Sequence, residues 1–481
     1  MNNKPLFDSS EWSFDLLEKT WQEIDRIGKD VFNLDYYNPS LEVITSGQML
    51  EAYSSVAMPI MYDHWSYGKS FVKNEMEYRK GKQGLAYEVV INTNPCIAYL
   101  MENNSMTMQT LVMAHAVCGH GSFFKNNYLF KEWTDADSIL DYLRFSRDYI
   151  KKCEYKYGEK RVEIILDACH AIRYYGVDKY KRNSNVKKLD KASYNDKNFD
   201  PVWNTLGLNR EYKEKRTGYY YKDGRSYPEE NLLYFIEKNS SVLKDWEKEI
   251  LRIVRKISQY FYPQMQTQLM NEGWATFIHH EILTHMHDMG LITDGSYLEF
   301  LDSHAGVIFQ PSPSSSINVY ALGFAMMKDL KRVCEDPDEE DKKWFPEIAD
   351  TDWKVTLPDI VANYRDESFV LQFLSPKIIR KFKLFAISDD ANFDDYEVLG
   401  VQSDEDVYII RDILSRRYNL SYSLPHIQVI GVDEENTRTL FIQHVIRTEQ
   451  ILQFDNLLDV RKYISYLWGY PVDIEEVLDG H

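Results

Sequence analysis

The chain has 481 residues, of which 44% are apolar and 14% aromatic, enough for a packed interior and more than one core ordinarily holds. Its formal net charge of −19 excludes the broad basic face that nucleic acid requires and disfavours an anionic membrane surface.

The opening "MNNKPLFDSSEWSF" lacks the basic start and apolar run of a signal peptide. No stretch approaches the roughly 20 apolar residues needed to span a bilayer. Five cysteines without CxxC spacing (Cys96, Cys118, Cys153, Cys169, Cys334) are expected as reduced thiols, so the expectation is a soluble, cytoplasmic chain.

Trp12, Leu16, Leu17, Trp21, Ile24 and Ile27 recur at helical spacing and predict an amphipathic helix over 11–35. "LAYEVVIN" (85–92) is β-rich and is bounded by Asn94-Pro95. From about 106 the pattern turns helical, over 106–119, 136–157, 159–175, 230–259, 264–288, 296–303, 318–334 and 366–374. A polar insertion with few aliphatics lies near 181–229 and reads as a long loop. After about 380 the segments "KLFAISD", "YEVLGVQ", 404–417, "HIQVIGVD", "TLFIQHVI", 457–468 and "PVDIEEV" give a ββαββαβ order. The expected fold is α+β, with a large, mainly helical domain over 1–380 that carries a short β segment, and a small C-terminal α+β domain over 381–481.

Seven of the twelve histidines fall between 115 and 287. In "MAHAVCGHGSFFKNN" (113–127), His115 and His120 are five apart, which on an α-helix turns them about 140° from each other. They converge if the helix carries a π-bulge or ends at Gly119. Otherwise they are packed core histidines. In "VEIILDACHAIRYYG" (162–176), Glu163, Asp167 and His170 share one face, and Asp167 stands one turn from His170, either orienting it or merely bonded to it in a core. In "MNEGWATFIHHEI" (270–282), Glu272 and His279 lie on one stripe but about 10.5 Å apart along the axis, too far to share one ion. One is then a ligand and the other a neighbour of the site. His280, His285 and His287 fall on other faces and are expected in solvent, while His304 either closes the site or caps a helix. Cys118 reads as a buried small thiol. No Gly-x-Gly-x-x-Gly, Walker-type loop or Gly-x-Ser-x-Gly elbow is present.

"MAHAVCGHGSFFKNNYLF", "LDACHAIRYYGVDKYKR", "ENLLYFIEKNS", "QMQTQLMNEGWATFIHHEIL" and "INVYALGFAMMKDLKR" resemble the stage V sporulation protein R (SpoVR) family, from about residue 11 through the final domain. The C-terminal segment resembles the branch of non-sporulating proteobacteria. The resemblance implies a bacterial protein tied to spore cortex formation or to stress and stationary-phase physiology. It also implies a serine protein kinase and a von Willebrand-type protein as partners, but no established catalytic activity.

A narrower resemblance links "NEGWA" to the gluzincin metallopeptidases, where a strand precedes the helix bearing the histidine pair. It implies a zincin-like placement of the β segment, with His115, His120 and Glu272 as ligands of a divalent metal, zinc with iron as the alternative. His170 is a further candidate ligand. The gluzincin glutamate between the histidines is missing, so Glu163, Asp167 or His279 would have to supply the base. Three readings stay open: a metal-dependent hydrolase of peptide or peptidoglycan-like amides, a non-haem iron protein suggested by the Asp167-x-x-His170 pair, and a non-enzymatic scaffold in a kinase complex.

Overall fold

A computed structural model of the chain describes residues 4–55, 58, 60–80, 88–179, 228–311, 316–384, 386–388, 397–399, 403–446 and 454–478. Almost all of the polar insertion near 181–229 lies outside these. The chain divides into two compact units, one of Met1–Asp148 with Pro263–Leu420, the other of Tyr149–Tyr262 with Ser421–His481. The fold is α+β: mainly helical, with short sheets and a small C-terminal part that contains strands.

In the first unit, α1 (Phe14–Arg26) is capped by Ser13, whose hydroxyl accepts the Leu16 N–H. A small sheet follows, built from β1 (Pro39–Ile44), β2 (Glu88–Ile91) and β3 (Cys96–Met101) in the order β1-β3-β2. β3 is parallel to β1 and antiparallel to β2, with Glu88 opposite Leu100. β3 is almost wholly buried, as expected of the central strand, whereas β2 alternates between half-buried and buried positions.

The chain then enters α2 (Met106–Met113), capped by Ser105, which runs without a break into a π-helical segment, Ala114–Gly121. The core of the unit is closed by α3 (Gln268–Asp288), α4 (Asp294–Val307) and α5 (Val319–Glu335), and α6 (Pro376–Phe382) lies further along. α3 is buried on nearly every face, through Leu269, Met270, Phe277, Ile278, Ile282 and Met286 among others. It has no side-chain cap of its own. Instead the buried Asp366 carboxylate accepts the N–H groups of Leu269 and Met270, each at 2.8 Å, and so satisfies two donors of the first turn. Two close approaches fix α3 in place. A Cβ at Gly119 would lie 2.5 Å from Ala275 Cα, and a Cβ at Gly273 would lie 2.6 Å from Gly323 Cα. Glu272 directly precedes Gly273 on α3.

The second unit contains the helices Glu159–Ala171, Leu232–Asn239, Asp245–Met265 (up to Tyr262) and Phe454–Trp468. The continuous helix expected over 230–259 is broken near Ser240, whose hydroxyl bonds the Leu467 carbonyl at 3.1 Å. Its sheet has the order β4 (His426–Val432), β5 (Leu440–Ile446), β6 (Val472–Leu478), with β5 antiparallel to β4 and parallel to β6. The ββαββαβ order appears along the chain, but its strands form separate sheets. Ala386–Ser388 pairs with Glu397–Leu399 in the first unit, and β4–β6 belong to the second. Among the described residues no helix is long and apolar enough to cross a membrane.

Candidate metal centre

The five-residue spacing of His115 and His120 is resolved by the π-helical segment. Closing the backbone ring over five residues does here what four-residue spacing does on an α-helix. The two imidazole centroids stand 4.6 Å apart, edge to face, and both rings are buried. β2 packs against the same segment and delivers Glu88, whose Oε1 lies 3.6 Å from His115 Nε2. α3 delivers Glu272, with Oε2 3.5 Å from His120 Nε2 and 3.9 Å from His115 Nε2.

Donors about 2.1 Å from one ion at tetrahedral angles sit roughly 3.4 Å from each other, close to these separations. The donor atoms of Glu88, His115 and His120 all lie within 4.8 Å of one another. Nitrogen and carboxylate oxygen without sulfur suit zinc or iron.

Burial dominates the electrostatics of the cluster. Burial pushes the Glu88 carboxyl up to about 8, helped by the negative charge of Glu272. Burial also raises Glu272, against the opposing pull of His120 and of a Tyr320 hydroxyl hydrogen bond. His115 is held well below the usual imidazole range, first by burial and then by His120. Among the described residues neither carboxylate meets a lysine or arginine. Two desolvated acids beside His115, whose own protonation burial disfavours, form a site that a cation would stabilise. The carboxylate side chains keep 19% and 20% exposure, while the imidazoles keep 6% and 9%.

Neighbouring groups orient the two imidazoles. Asn271 Oδ1 accepts from His120 Nδ1 at 2.9 Å, which leaves the Nε2 lone pair facing Glu272. His115 Nδ1 lies 2.8 Å from His279 Nδ1, and His279 Nε2 lies 2.9 Å from His304 Nδ1. The ring nitrogens of His115, His279 and His304 thus form a continuous chain of hydrogen bonds leading away from the two acids.

The segment "NEGWA" thus becomes legible residue by residue. Asn271 holds His120, Glu272 faces both histidines, and Gly273 lets α5 approach. Trp274 donates its indole N–H to Ser122 Oγ at 2.9 Å, and Ala275 meets Gly119.

Residues 11–423 match the family described as SpoVR like protein, and residues 425–479 match the SpoVR-like C-terminal domain. The chain belongs to the SpoVR family. A SpoVR relative from Escherichia coli (strain K12), described as Uncharacterized protein YcgB, is 50% identical over 482 residues, covering 98% of this chain and 94% of the relative. No solved structure matches the chain.

Of the sequence-derived candidates in this SpoVR chain, His115, His120, Glu272 and His279 come together. Glu163, Asp167 and His170 lie on Glu159–Ala171 of the other compact unit, and Glu163 is exposed. The expected solvation of His280, His285 and His287 needs correction. All three are half-buried: His280 packs on Phe300 and Phe324, His285 on Phe32, and His287 stacks on Tyr297 at 4.1 Å while bonding Asp294. Apolar neighbours on α4 and α5 and near α1 cover the faces that helical spacing alone left open. His304 is buried, and its ring bonds His279. Cys118 is buried and free, beside Tyr36. Glu88, Asn271 and Tyr320 were missed. For Glu88 the signal was a lone acid at the head of an apolar strand segment, "EVVI".

Proposed function

We propose that this chain is a metal-dependent hydrolase that cleaves an amide bond in a peptide or peptidoglycan-like substrate. The observation that carries the reading is that Glu88 and Glu272 both face the buried His115 and His120, while among the described residues no lysine or arginine pairs with either acid. A divalent ion, zinc on this donor set, would supply a water of lowered pKa and polarise the substrate carbonyl.

The chain's own groups have distinct tasks. His115, His120 and Glu272 hold the ion, and the Tyr320 hydroxyl steadies Glu272. Glu88 takes the place of the glutamate absent between the histidines. Its raised proton affinity suits a general base that takes a proton at one oxygen and returns it to the departing nitrogen. Asn271 and His279 fix which imidazole nitrogens face the ion.

The two-histidine, one-carboxylate set is also that of non-haem iron sites, which gives a second reading with the same ligands. Zinc and iron are told apart by elemental analysis and by colour.

The test is the metal content of the purified chain, followed by release of free amine from peptide and peptidoglycan fragments. One ion per chain is expected, lost in His115→Ala and Glu272→Ala. A substoichiometric metal signal unchanged by both substitutions would overturn the proposal. It would leave the scaffold reading, in which pull-downs with a serine protein kinase survive the same substitutions.

A further inference from the structure

A second cavity, of about 320 Å³, opens elsewhere in the first unit between the end of α4, one flank of α5 and the end of α6. Its volume is at the lower end of the range for small-molecule sites. Ala321 and Ala325, one turn apart on α5, leave the hollow, with Phe324 beside them and Ile308 on the wall. Lys381 and Lys383 line the rim, and no acidic residue is among the described lining.

Three features point to a ligand. First, the charge is unusual for this chain. In a protein of net charge −19, two lysines border an apolar hollow, and among the described residues neither has an ion-pair partner. Second, Lys383 is the C-cap of α6 with φ of 51°, a left-handed conformation that glycine takes freely and lysine does not. A lysine there puts an ammonium on the cavity where a glycine would serve the backbone better. Third, the wall is fixed before any ligand arrives. Gln310 accepts the Asn318 N–H at 2.8 Å and donates to the Ser316 carbonyl, while Asn318 Nδ2 donates to the Val307 and Phe309 carbonyls. A wall already tied by hydrogen bonds loses little freedom on binding.

We propose that this cavity binds a small amphipathic anion from solution, an apolar body of about ten carbons carrying one carboxylate or phosphate head. The apolar body lies on Ala321, Phe324 and Ala325, and the head meets Lys381 and Lys383. The proposal does not depend on the metal centre.

The test is calorimetric titration of the full chain with octanoate, octyl phosphate and octylammonium, which share a tail and differ in head. Saturable one-to-one binding of at least one of the two anions is expected, with octylammonium at least tenfold weaker. Carboxylate or phosphate preference identifies the head. Lys381→Glu with Lys383→Glu, a surface change that leaves the fold intact by circular dichroism, should weaken the anion at least tenfold. Ala325→Leu, which fills the hollow, should weaken all three. Equal binding of anion and cation, no saturable binding, or affinities unmoved by both variants would overturn the proposal.

Discussion

Gly119 and Ala275 touch backbone to backbone, since a Cβ on Gly119 would stand 2.5 Å from Ala275 Cα. The contact brings the π-helical segment against α3 close to where Glu272 faces both imidazoles. Gly119→Ala has no flexible side chain to displace, so the helices must separate. Overpacking of this kind costs about 1–3 kcal/mol. The expected outcome is a lower melting temperature together with reduced metal content. Wild-type metal content in a destabilised Gly119→Ala protein would show that the centre tolerates the separation.

Excising Ala116 restores four-residue spacing between the histidines, so that ordinary α-helical closure keeps them on one face. Unchanged far-ultraviolet circular dichroism and retention of one ion per chain are expected. Loss of the ion from a folded variant would mean that the π geometry itself, and not merely convergence, is required.

His279→Ala and Asn271→Ala each remove the hydrogen-bond partner of an imidazole in the proposed ligand set. Competition with a chromogenic chelator should show metal affinity weaker by roughly 10- to 100-fold in each. Affinity equal to wild type would assign both residues to packing alone.

Glu88→Gln separates a base from a ligand. As a base, its loss leaves metal content intact and lowers kcat by about 10²- to 10⁴-fold. Loss of the ion along with activity would instead make Glu88 a ligand.

Stability should depend on pH in two opposed ways in chelator-treated protein. Burial lowers the His304 imidazole to about 3, below its ordinary 6.5. The stability this group contributes is present above 6.5 and drains away as pH falls toward 3. Burial pushes the Asp366 carboxyl up to about 7 from 3.8, against the lowering effect of the backbone N–H groups it accepts. Its contribution is complete below 3.8 and is lost as pH rises through 7. Asp366→Asn should therefore flatten the fall in melting temperature between pH 4 and 8 relative to wild type. Parallel curves for the two proteins would refute the assignment.

Much of the helical framework was legible in the chain because apolar residues recur at its period, as from Phe14 to Arg26 and from Val319 to Glu335. The π-helical closure was legible only as one alternative, beside a helix ending at Gly119 and a pair of packed core histidines, because a five-residue interval does not by itself choose among them. The strand after Asn94-Pro95 was not legible, because its six-residue run "CIAYLM" is apolar throughout and carries no alternation. Glu88 was passed over for a related reason. Its partners lie at Glu272 and His115, and no local pattern links a strand to residues that far along the chain. The acidic face of Glu159–Ala171 shows the converse: Glu163, Asp167 and His170 share a stripe, as the polar side of any amphipathic helix does, and that spacing is silent about the compact unit to which the helix belongs.

The meeting of Gly273 with Gly323 has a mechanical corollary. At that crossing neither helix has a side chain to cushion the other, so α3 and α5 behave as a clasp rather than as two sliding rods. Glu272 is the residue just before one half of the clasp, and Tyr320 lies one turn before the other. A displacement of α5, whether from its own flexing or from an occupant lodged against Ala321 and Ala325, would carry the Tyr320 hydroxyl with it and shift the hydrogen bond it makes to Glu272.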